Sequence, residues 1–318
     1  MSAGAQERIA GLVSVIIPAY NAAAYVAEAI DGVLAQDYPQ VEVIVVNDGS
    51  KDNTLDILKG YGERIRVIDQ ANAGPPRARN TGLAAVRGEF VAFLDADDIW
   101  LPTKLSAQVA HLQAHADVGT VFTDWIVWSP DADGVFRFPK VRAAPTIGCA
   151  VMPELSGWMY TRLLLECKLL TTTVMMRTSL VDEIGSFDVG LFNGDDYDFW
   201  LRASRVAKVD KLDCIGAYYR VVPGSVSSKA RPMNFERVVV QRAVERFGLD
   251  DPKGQMTMDP RVMRSHIDDL KVQFGYAHLV AGDPVIAWGN YAEVLRDRPW
   301  RLNLWPAAAR ALVKRLSA

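Results

Sequence analysis

The sequence predicts an α/β protein with a largely parallel β-sheet flanked by helices. Over the first 125 residues, short apolar runs rich in β-branched residues alternate with segments whose apolar residues recur at helical spacing. Strands are predicted at 13–17, 41–46, 65–68, 90–94 and 120–123. Because helical segments separate these strands, the crossovers favour parallel pairing, and ligands of such sheets bind beyond the carboxyl ends of the strands.

Proline and apolar spacing predict where the individual elements begin and end. Pro18 is expected to end the first strand, because proline cannot donate to a strand ladder. Helices are predicted at 24–36, 52–61, 77–86, from about Pro102, at 196–206 and from 233 onward. A further strand is predicted at 169–176. Residues 129–160 have few periodic segments and are predicted to form a long loop over one face.

Composition excludes several functional classes. The net charge of −3 at pH 7 gives no reason to expect nucleic-acid binding. The three cysteines are far apart and form no C-x-x-C pair, which favours reduced thiols in a cytoplasmic protein. The first twelve residues lack the apolar run of a signal peptide, and no stretch approaches the length of a membrane span.

Three carboxylates, Asp95, Asp97 and Asp98, directly follow the strand at 90–94. Carboxylates crowded in this way repel one another unless a cation lies among them, and hard oxygen ligands select Mg²⁺ or Mn²⁺. The structural alternative is that Asp97 or Asp98 caps the helix that begins near Pro102. A cap accounts for one aspartate, so the pattern favours a metal site.

Polar clusters also follow the first two strands. After 41–46 come Asn47, Asp48, Gly49 and Ser50, where a carboxylate can accept the imide N–H of a pyrimidine and glycine permits close approach. A local Asx-turn is the alternative. After 13–17, Tyr20 can lie against a base and Asn21 can cap the next helix.

Two more clusters bear on chemistry. Asn72 and Gly74 precede Arg77 and Arg79, whose guanidinium groups suit phosphate or base oxygens, although a helix start with solvated arginines explains them equally well. Asp195, Asp196 and Asp198 open the predicted helix at 196–206, where the helix N-terminus keeps carboxylates ionised. Capping needs one of them, and Asp196 is the predicted general base.

Taken together, residues 13 to about 205 resemble glycosyltransferase family 2, the inverting nucleotide-sugar transferases of GT-A fold. Five ordered stretches carry the resemblance: 13–21, 47–54, 78–82, 88–98 and 194–202. The resemblance implies that Asp95 contacts the ribose or donor sugar, Asp97 binds the metal and Asp196 is the base. It implies that the nucleotide is held by Pro18, Tyr20, Asn21, Asp48 and Arg79. The predicted substrate-binding set also includes their neighbours Gly49, Ser50, Asn72, Gly74, Ala96 and Trp200.

The same resemblance implies the domain organisation and the activity. A GT-A domain is expected over residues 1–225, with a nucleotide-binding half at 1–125, an acceptor-binding half at 126–225 and a helical region at 226–318. The expected reaction moves a sugar from a nucleoside-diphosphate sugar, UDP or dTDP favoured, to a saccharide or lipid-linked saccharide. A divalent metal, Mn²⁺ or Mg²⁺, is expected to assist.

Two departures from the family pattern leave parts of this assignment open. Asp195 stands where the family usually has glutamate, so either Asp195 or Asp196 can be the residue that reaches the acceptor. Val222 occupies a position where relatives often carry a histidine metal ligand. A catalytically inactive sugar-nucleotide-binding relative is therefore one alternative.

A haloacid-dehalogenase-like phosphatase is the other alternative. Such phosphatases carry Asp-x-Asp-x-Thr/Val after their first strand, whereas here Asp97 is followed by Asp98 and Ile99 and the motif lies behind three strands. Phosphatase activity on an aryl phosphate discriminates between the two classes.

Residues 291–318 carry six basic and two acidic residues in a chain of negative net charge. Trp300, Leu302, Leu304 and Trp305 lie among these bases, and Ala308, Leu312, Val313 and Leu316 continue at helical spacing. Such a segment can lie in a membrane interface, with tryptophans at headgroup depth. Alternatively, it packs its apolar stripe on the rest of the protein. The expected location is cytoplasmic, with peripheral contact at the inner face of the membrane.

Overall fold

The structure is a computed structural model that describes residues 8–138, 149–222 and 231–317. It divides into two compact units. The first comprises the residues up to 163 together with 167–222, and the second comprises 164–166 together with the residues from 223 onward.

The first unit is built on one mixed sheet. In chain order its strands are β1 (Ile9–Ala19), β2 (Val41–Asp48), β3 (Arg66–Gln70), β4 (Gly88–Phe93), β5 (Ile99–Trp100), β6 (Val118–Trp128), β7 (Met175–Arg177) and β8 (Lys208–Arg220). Their order across the sheet is β3-β2-β1-β4-β7-β6-β8-β5. The strands β3, β2, β1 and β4 are parallel, whereas β7 runs antiparallel to both of its neighbours.

Helices follow the strands of the parallel part, as the sequence predicts. They are α1 (Val26–Leu34), α2 (Thr54–Gly60), α3 (Pro75–Leu83), α4 (Lys104–Ala114), α5 (Tyr160–Leu163), α6 (Thr178–Ile184) and α7 (Asp195–Val206). Both faces of the sheet are covered, so β1, β2 and β4 read as near-continuous apolar runs. The predicted α/β fold class is confirmed.

Two predicted strands have boundaries that differ from the structure. β1 continues through Pro18, which pairs with Val46, and ends at Ala19. Pro18 has no backbone N–H to donate, and the sheet tolerates this loss because Pro18 lies at the end of the strand. The strand predicted at 169–176 is reduced to β7, which a 3₁₀ turn at Thr171–Thr173 precedes.

The long loop predicted at 129–160 is partly a sheet edge. Isolated antiparallel bridges join Val151 to Leu212 and Gly157 to Val209, so this stretch runs alongside β8. The residues 139–148 of the predicted loop lie outside the described residues.

The second unit is helical over its described length. Its helices are α8 (Phe235–Phe247), α9 (Pro260–Ala281), α10 (Pro284–Asp297) and α11 (Trp305–Leu316). The side chains of Asn234, Asp259 and Asp283 accept hydrogen bonds from backbone N–H groups in the first turns of α8, α9 and α10. None of the helices among the described residues has the length and apolar character that crossing a bilayer requires.

A buried carboxylate ties three strands together at their amino ends. Glu42 of β2 accepts hydrogen bonds from the Ser14 hydroxyl of β1 and from the backbone N (2.9 Å) and Nε (2.8 Å) of Arg87. Ser14 Oγ in turn accepts from Gly88 N of β4 at 2.9 Å. Burial opposes ionisation of Glu42, but the bonds from Ser14 and Arg87 outweigh it and lower its pKa.

We predict that Glu42→Gln lowers the free energy of unfolding at pH 7 by about 1–3 kcal/mol, because it removes a charged acceptor of several hydrogen bonds. Because the pKa of Glu42 is lower in the folded state than in the unfolded state, its ionised carboxylate contributes to the free energy of unfolding above the unfolded pKa of about 4.3. That contribution is lost as the pH falls through the folded-state pKa. Urea unfolding at pH 7 and pH 3 should therefore show a difference between wild type and variant that narrows in acid. Glu63→Gln, at an exposed residue, is the control. If the difference in unfolding free energy between wild type and Glu42→Gln did not change with pH, it would contradict the stabilising role of the ionised Glu42 carboxylate.

Candidate active site

The loops after β1 and β2 lie at the same edge of the sheet and are joined by hydrogen bonds. Asn21 N donates to Ser50 Oγ at 3.0 Å, and Lys51 N donates to Asn21 Oδ1 at 2.8 Å. Asn21 adopts a left-handed backbone with φ of 50°, a conformation that asparagine tolerates. The prediction that Asn21 caps a helix is wrong. The helix α1 begins only at Val26, and the Asn21 side chain accepts its hydrogen bond from Lys51 N.

Asp48 closes the turn that leads into α3. Its Oδ1 accepts from Gln70 Nε2 (2.7 Å) and Ala73 N (2.9 Å), and its Oδ2 accepts from Gly74 N (2.8 Å). These partners lie more than twenty residues away, so a local Asx-turn does not describe them. Asp48 is 3% exposed, and one acceptor position on its Oδ2 has no partner in the described part of the chain.

Gly49 permits the close contact between the loops after β2 and β3. Its φ is 68°, and a Cβ at this position would lie 2.6 Å from Asn72 N. Of the predicted residues in this part of the edge, Tyr20, Asn21 and Asn72 are exposed, Pro18, Gly49 and Ser50 are partly buried, and Asp48 and Gly74 are buried. The loops that carry these residues are thus brought together at one edge of the sheet.

The acidic loop after β4 is held in place by Arg220, the last residue of β8. Arg220 N donates to Asp98 Oδ1 at 2.8 Å, and Arg220 Nε donates to Asp97 O at 2.7 Å. The guanidinium lies over the rings of Trp128 (4.3 Å), Tyr25 (4.8 Å) and Phe136 (4.9 Å), and it also contacts Glu28. Neither Asp97 nor Asp98 caps a helix, because β5 follows them and α4 begins only at Lys104.

Arg79 of α3 joins the two carboxylate-bearing loops. Its Nη2 lies 3.1 Å from Asp95 Oδ1 and its Nη1 lies 2.8 Å from Asp195 Oδ2. The Arg79 side chain is 9% exposed. The structure therefore directs the Arg79 guanidinium to two aspartates, and its place in the nucleotide-binding set stays a prediction.

Asp195 and Asp196 are adjacent but have different surroundings. Asp195 is buried against Arg79, and burial raises its pKa to about 6, against the opposing influence of Arg79. Asp196 is partly exposed, and its Oδ2 accepts a hydrogen bond from Thr171 Oγ1 at 2.9 Å. Asp198, the third acidic residue, is paired with Arg202 Nε at 2.8 Å. Of the three, Asp196 has a carboxylate that is both partly exposed and free of an ion pair in the described part of the chain.

The acidic loop has the chemistry of a divalent-metal site, although no cluster of three or more ligand side chains is present among the described residues. Burial, and then the neighbouring Asp95, raise the pKa of Asp97 to about 6. A cation is the group that relieves this repulsion, so Asp95 and Asp97, both partly exposed, fit one. Val222 contributes no ligand, and the residues 223–230 that follow it lie outside the described residues.

Five members of the predicted substrate-binding set are buried, namely Asp48, Gly74, Arg79, Ala96 and Trp200. Trp200 is fully buried and packs against Phe93, Phe187 and Phe199, as the sequence pattern of α7 predicts for an inward-facing residue. It belongs to the core and has no exposed surface with which to contact a substrate. Ala96 is 7% exposed, because the acidic loop turns its side chain inward.

Sequence analysis missed Thr171, Thr172, Gln70, Glu28 and Arg220. Each contacts a site residue from an element remote in sequence: Thr172 Oγ1 lies 3.4 Å from Asp95 N, for example. A run of three buried threonines was the one local signal, because hydroxyls buried together require partners.

Comparison with known proteins identifies the family. The model of the family "Glycosyl transferase family 2" matches residues 14–140. An Escherichia coli protein named UDP-Glc:alpha-D-GlcNAc-diphosphoundecaprenol beta-1,3-glucosyltransferase WfaP is 30% identical over 220 residues, covering 68% of this chain and 80% of that protein. The chain belongs to glycosyltransferase family 2. The family prediction is confirmed.

Other relatives match over a smaller share of their length. An uncharacterized glycosyltransferase of Rickettsia felis is 36% identical over 203 residues, which are 62% of this chain and 32% of that protein. The chain thus spans about a third of the length of this relative.

Solved structures confirm the fold. Residues 1–349 of Staphylococcus aureus TarS, in complex with UDP-GlcNAc, match with a TM-score of 0.59 and 22% identity, covering 96% of this chain and 88% of that one. The mannosyltransferase PcManGT of Pyrobaculum calidifontis, in complex with GDP-Man and Mn²⁺, matches with a TM-score of 0.55 and 17% identity, covering 96% and 86%.

Proposed function

We propose that this chain is an inverting glycosyltransferase that moves a sugar from a nucleoside-diphosphate sugar to a lipid-linked saccharide. One observation carries the proposal: Arg79 joins Asp95 on the acidic loop to Asp195, and the partly exposed Asp196 lies beside this pair. A donor-side carboxylate and a candidate base are therefore held together at the edge where the nucleotide loops meet. Family membership supports a transferase activity.

The donor is proposed to be a uridine diphosphate sugar. Tyr20 offers an exposed ring for a base, and the remaining acceptor position of Asp48 suits the imide N–H of uracil. The name of WfaP specifies UDP-Glc, and TarS has been solved with UDP-GlcNAc, which supports the same nucleotide here.

Asp97, with Asp95, is proposed to hold a divalent cation. When bound, such a cation neutralises the charge that develops on a departing nucleoside diphosphate. The Mn²⁺ in the PcManGT complex supports this proposal. Arg220 keeps the loop in shape by holding the Asp97 carbonyl and the Asp98 carboxylate.

Asp196 is proposed to act as general base. Its carboxylate takes the proton of the acceptor hydroxyl as that oxygen forms a bond to the anomeric carbon, and the bond between that carbon and the diphosphate oxygen breaks with its electron pair on the diphosphate. The attack comes from the face opposite the diphosphate, so configuration inverts in one displacement. Asp195 stays paired with Arg79 and maintains the loop.

A lipid-linked acceptor would bring the protein to a membrane, and the second unit has a surface suited to one. In α11, Ala308 and Ala311 are buried together with Leu304, while Trp305, Val313 and Leu316 are exposed on another side. Trp300 and Leu302, just before α11, are 70% and 74% exposed. Exposed bases accompany this set at Arg296, Arg310, Lys314 and Arg315. We propose that this surface contacts anionic lipid.

We predict that UDP raises the thermal unfolding temperature of this protein by several degrees in the presence of Mn²⁺, because a ligand that binds only the folded state stabilises it. Asp97→Ala should remove the Mn²⁺-dependent part of the shift. The matched control is Asp56→Ala, at a 76%-exposed aspartate of α2. A shift that survives chelation unchanged would exclude the metal, and aryl-phosphate hydrolysis without UDP binding would favour a phosphatase.

We predict that Asp196→Asn lowers transfer turnover about 10²-fold or more, the usual scale for a lost general base, while donor affinity changes only a few-fold. Steady-state kinetics with UDP-glucose and a diphosphate-lipid-linked N-acetylglucosamine measure both quantities. Asp195→Asn should instead lower the unfolding temperature, because it leaves Arg79 with a buried, half-paired charge. A greater loss of turnover in a stably folded Asp195→Asn would assign the base to Asp195.

We predict salt-sensitive cosedimentation of the chain with vesicles containing phosphatidylglycerol, and weaker cosedimentation with phosphatidylcholine alone. Substituting Trp300, Leu302 and Trp305 together by serine should abolish it. Deleting residues after Arg298 is a poorer test, because it also removes the buried Leu304, Ala308 and Ala311. Val262→Ser, at an exposed apolar residue of α9, is the control. Equal cosedimentation of the triple variant and wild type would leave α11 with a packing role alone.

A further inference from the structure

The 3₁₀ turn at Thr171–Thr173 lies between the two carboxylate loops and is held by the core of the first unit. Trp100 Nε1 donates to Thr172 O at 2.6 Å, and Gln108 Nε2 donates to Thr173 O at 2.8 Å. Thr173 Oγ1 closes the turn onto Leu170 O at 2.7 Å. The turn is thus a rigid support, because three donors from buried residues determine its path.

Thr171 directs its hydroxyl from this support to Asp196. The Oγ1 to Oδ2 distance is 2.9 Å, and Thr171 itself is 2% exposed. The other oxygen of Asp196 accepts from Tyr197 N at 2.8 Å. The bond from Tyr197 N is local to the helix, so the bond from Thr171 is the side-chain contact that ties this carboxylate to a remote element.

The Thr171 hydroxyl makes no other hydrogen bond in the described part of the chain, and its β-branched side chain has few rotamers from which to choose. By contrast, the equally buried Thr120 and Thr123 have hydroxyls without a partner in the described part of the chain. The Thr171 hydroxyl therefore has a specific partner that burial alone does not require.

We propose that Thr171 is a positioning residue that orients the Asp196 carboxylate toward the acceptor hydroxyl. This proposal rests on the proposed function, in which Asp196 is the base. Thr171 has no contact with the reacting atoms, and it acts through Asp196 alone.

The test is the split between kcat and KM for Thr171→Val, which keeps the shape of the side chain and removes the donor. UDP release is followed with UDP-glucose and diphosphate-lipid-linked N-acetylglucosamine. We expect kcat at pH 7 to fall about tenfold, while the KM values for donor and acceptor stay within twofold. Thr171→Ser, which keeps the hydroxyl, should restore the wild-type kcat, and Thr120→Val is the matched control with no change.

Further outcomes separate this proposal from the proposed function. If wild type transfers sugar and Asp196→Asn abolishes transfer, but Thr171→Val keeps the wild-type kcat, the positioning role is overturned. A loss of kcat that Thr171→Ser does not restore overturns it as well, since a merely structural residue gives that result. If Asp196→Asn retains full turnover, the base assignment itself fails.

Folding and coupling controls complete the design. Should Thr171→Val not fold, Thr171→Ala carries the same expected fall in kcat. In the double variant Thr171→Val/Asp196→Asn, the threonine change should cause no further loss, because both act through one group. Additive losses would overturn the proposal.

Discussion

A single buried guanidinium organises the site. Arg79 lies between Asp95 and Asp195, which belong to loops about a hundred residues apart in sequence. Taking a guanidinium out of water is costly, and the two carboxylates offset that cost by pairing with it. Since removing either aspartate would leave charge buried and half-paired, the spacing of the two loops depends on this bridge. The remaining contacts of the site are arranged around that spacing.

The bridge also explains how two adjacent aspartates come to differ. Asp195 is committed to Arg79, and its burial raises its pKa to about 6. Asp196 points elsewhere on the same helix end, where it is partly exposed and meets Thr171. Neighbouring side chains in the first turn of a helix point in different directions. The carboxylate of Asp195 therefore points to Arg79, while that of Asp196 is left partly exposed. The shorter side chain of Asp195, compared with glutamate, suits this close internal pairing.

The fold was predictable from sequence because its strands are buried on both faces. Apolar runs at 13–17, 41–46 and 90–94 correspond to β1, β2 and β4, and the polar clusters after them do meet at one edge. Such local patterns depend on neighbouring residues only. They place Tyr20 and Asp97 in the loops after β1 and β4, and Asp48 at the end of β2.

The partners of the site residues were not predictable in this way. Asp48 bonds to the turn after β3, and Arg79 bonds to two aspartates. Trp200 follows an acidic stretch of sequence and was predicted to bind substrate, yet it is buried among three aromatic rings. Each of these contacts depends on elements distant in sequence, and spacing along one chain carries no information about which of several distant donors a carboxylate meets.

The attachment of the acidic loop has a consequence for the biosynthesis of the protein. Asp98 accepts its hydrogen bond from a residue 122 positions later in the chain, and Asp95 shares Arg79 with a residue 100 positions later. The parallel strands β1 to β4 are complete before either partner has left the ribosome. A nascent chain of this length can bury its apolar core, but its acidic loop lacks Arg220 and Asp195. The acidic loop consequently reaches its final shape late in synthesis, only after β8 pairs with the sheet.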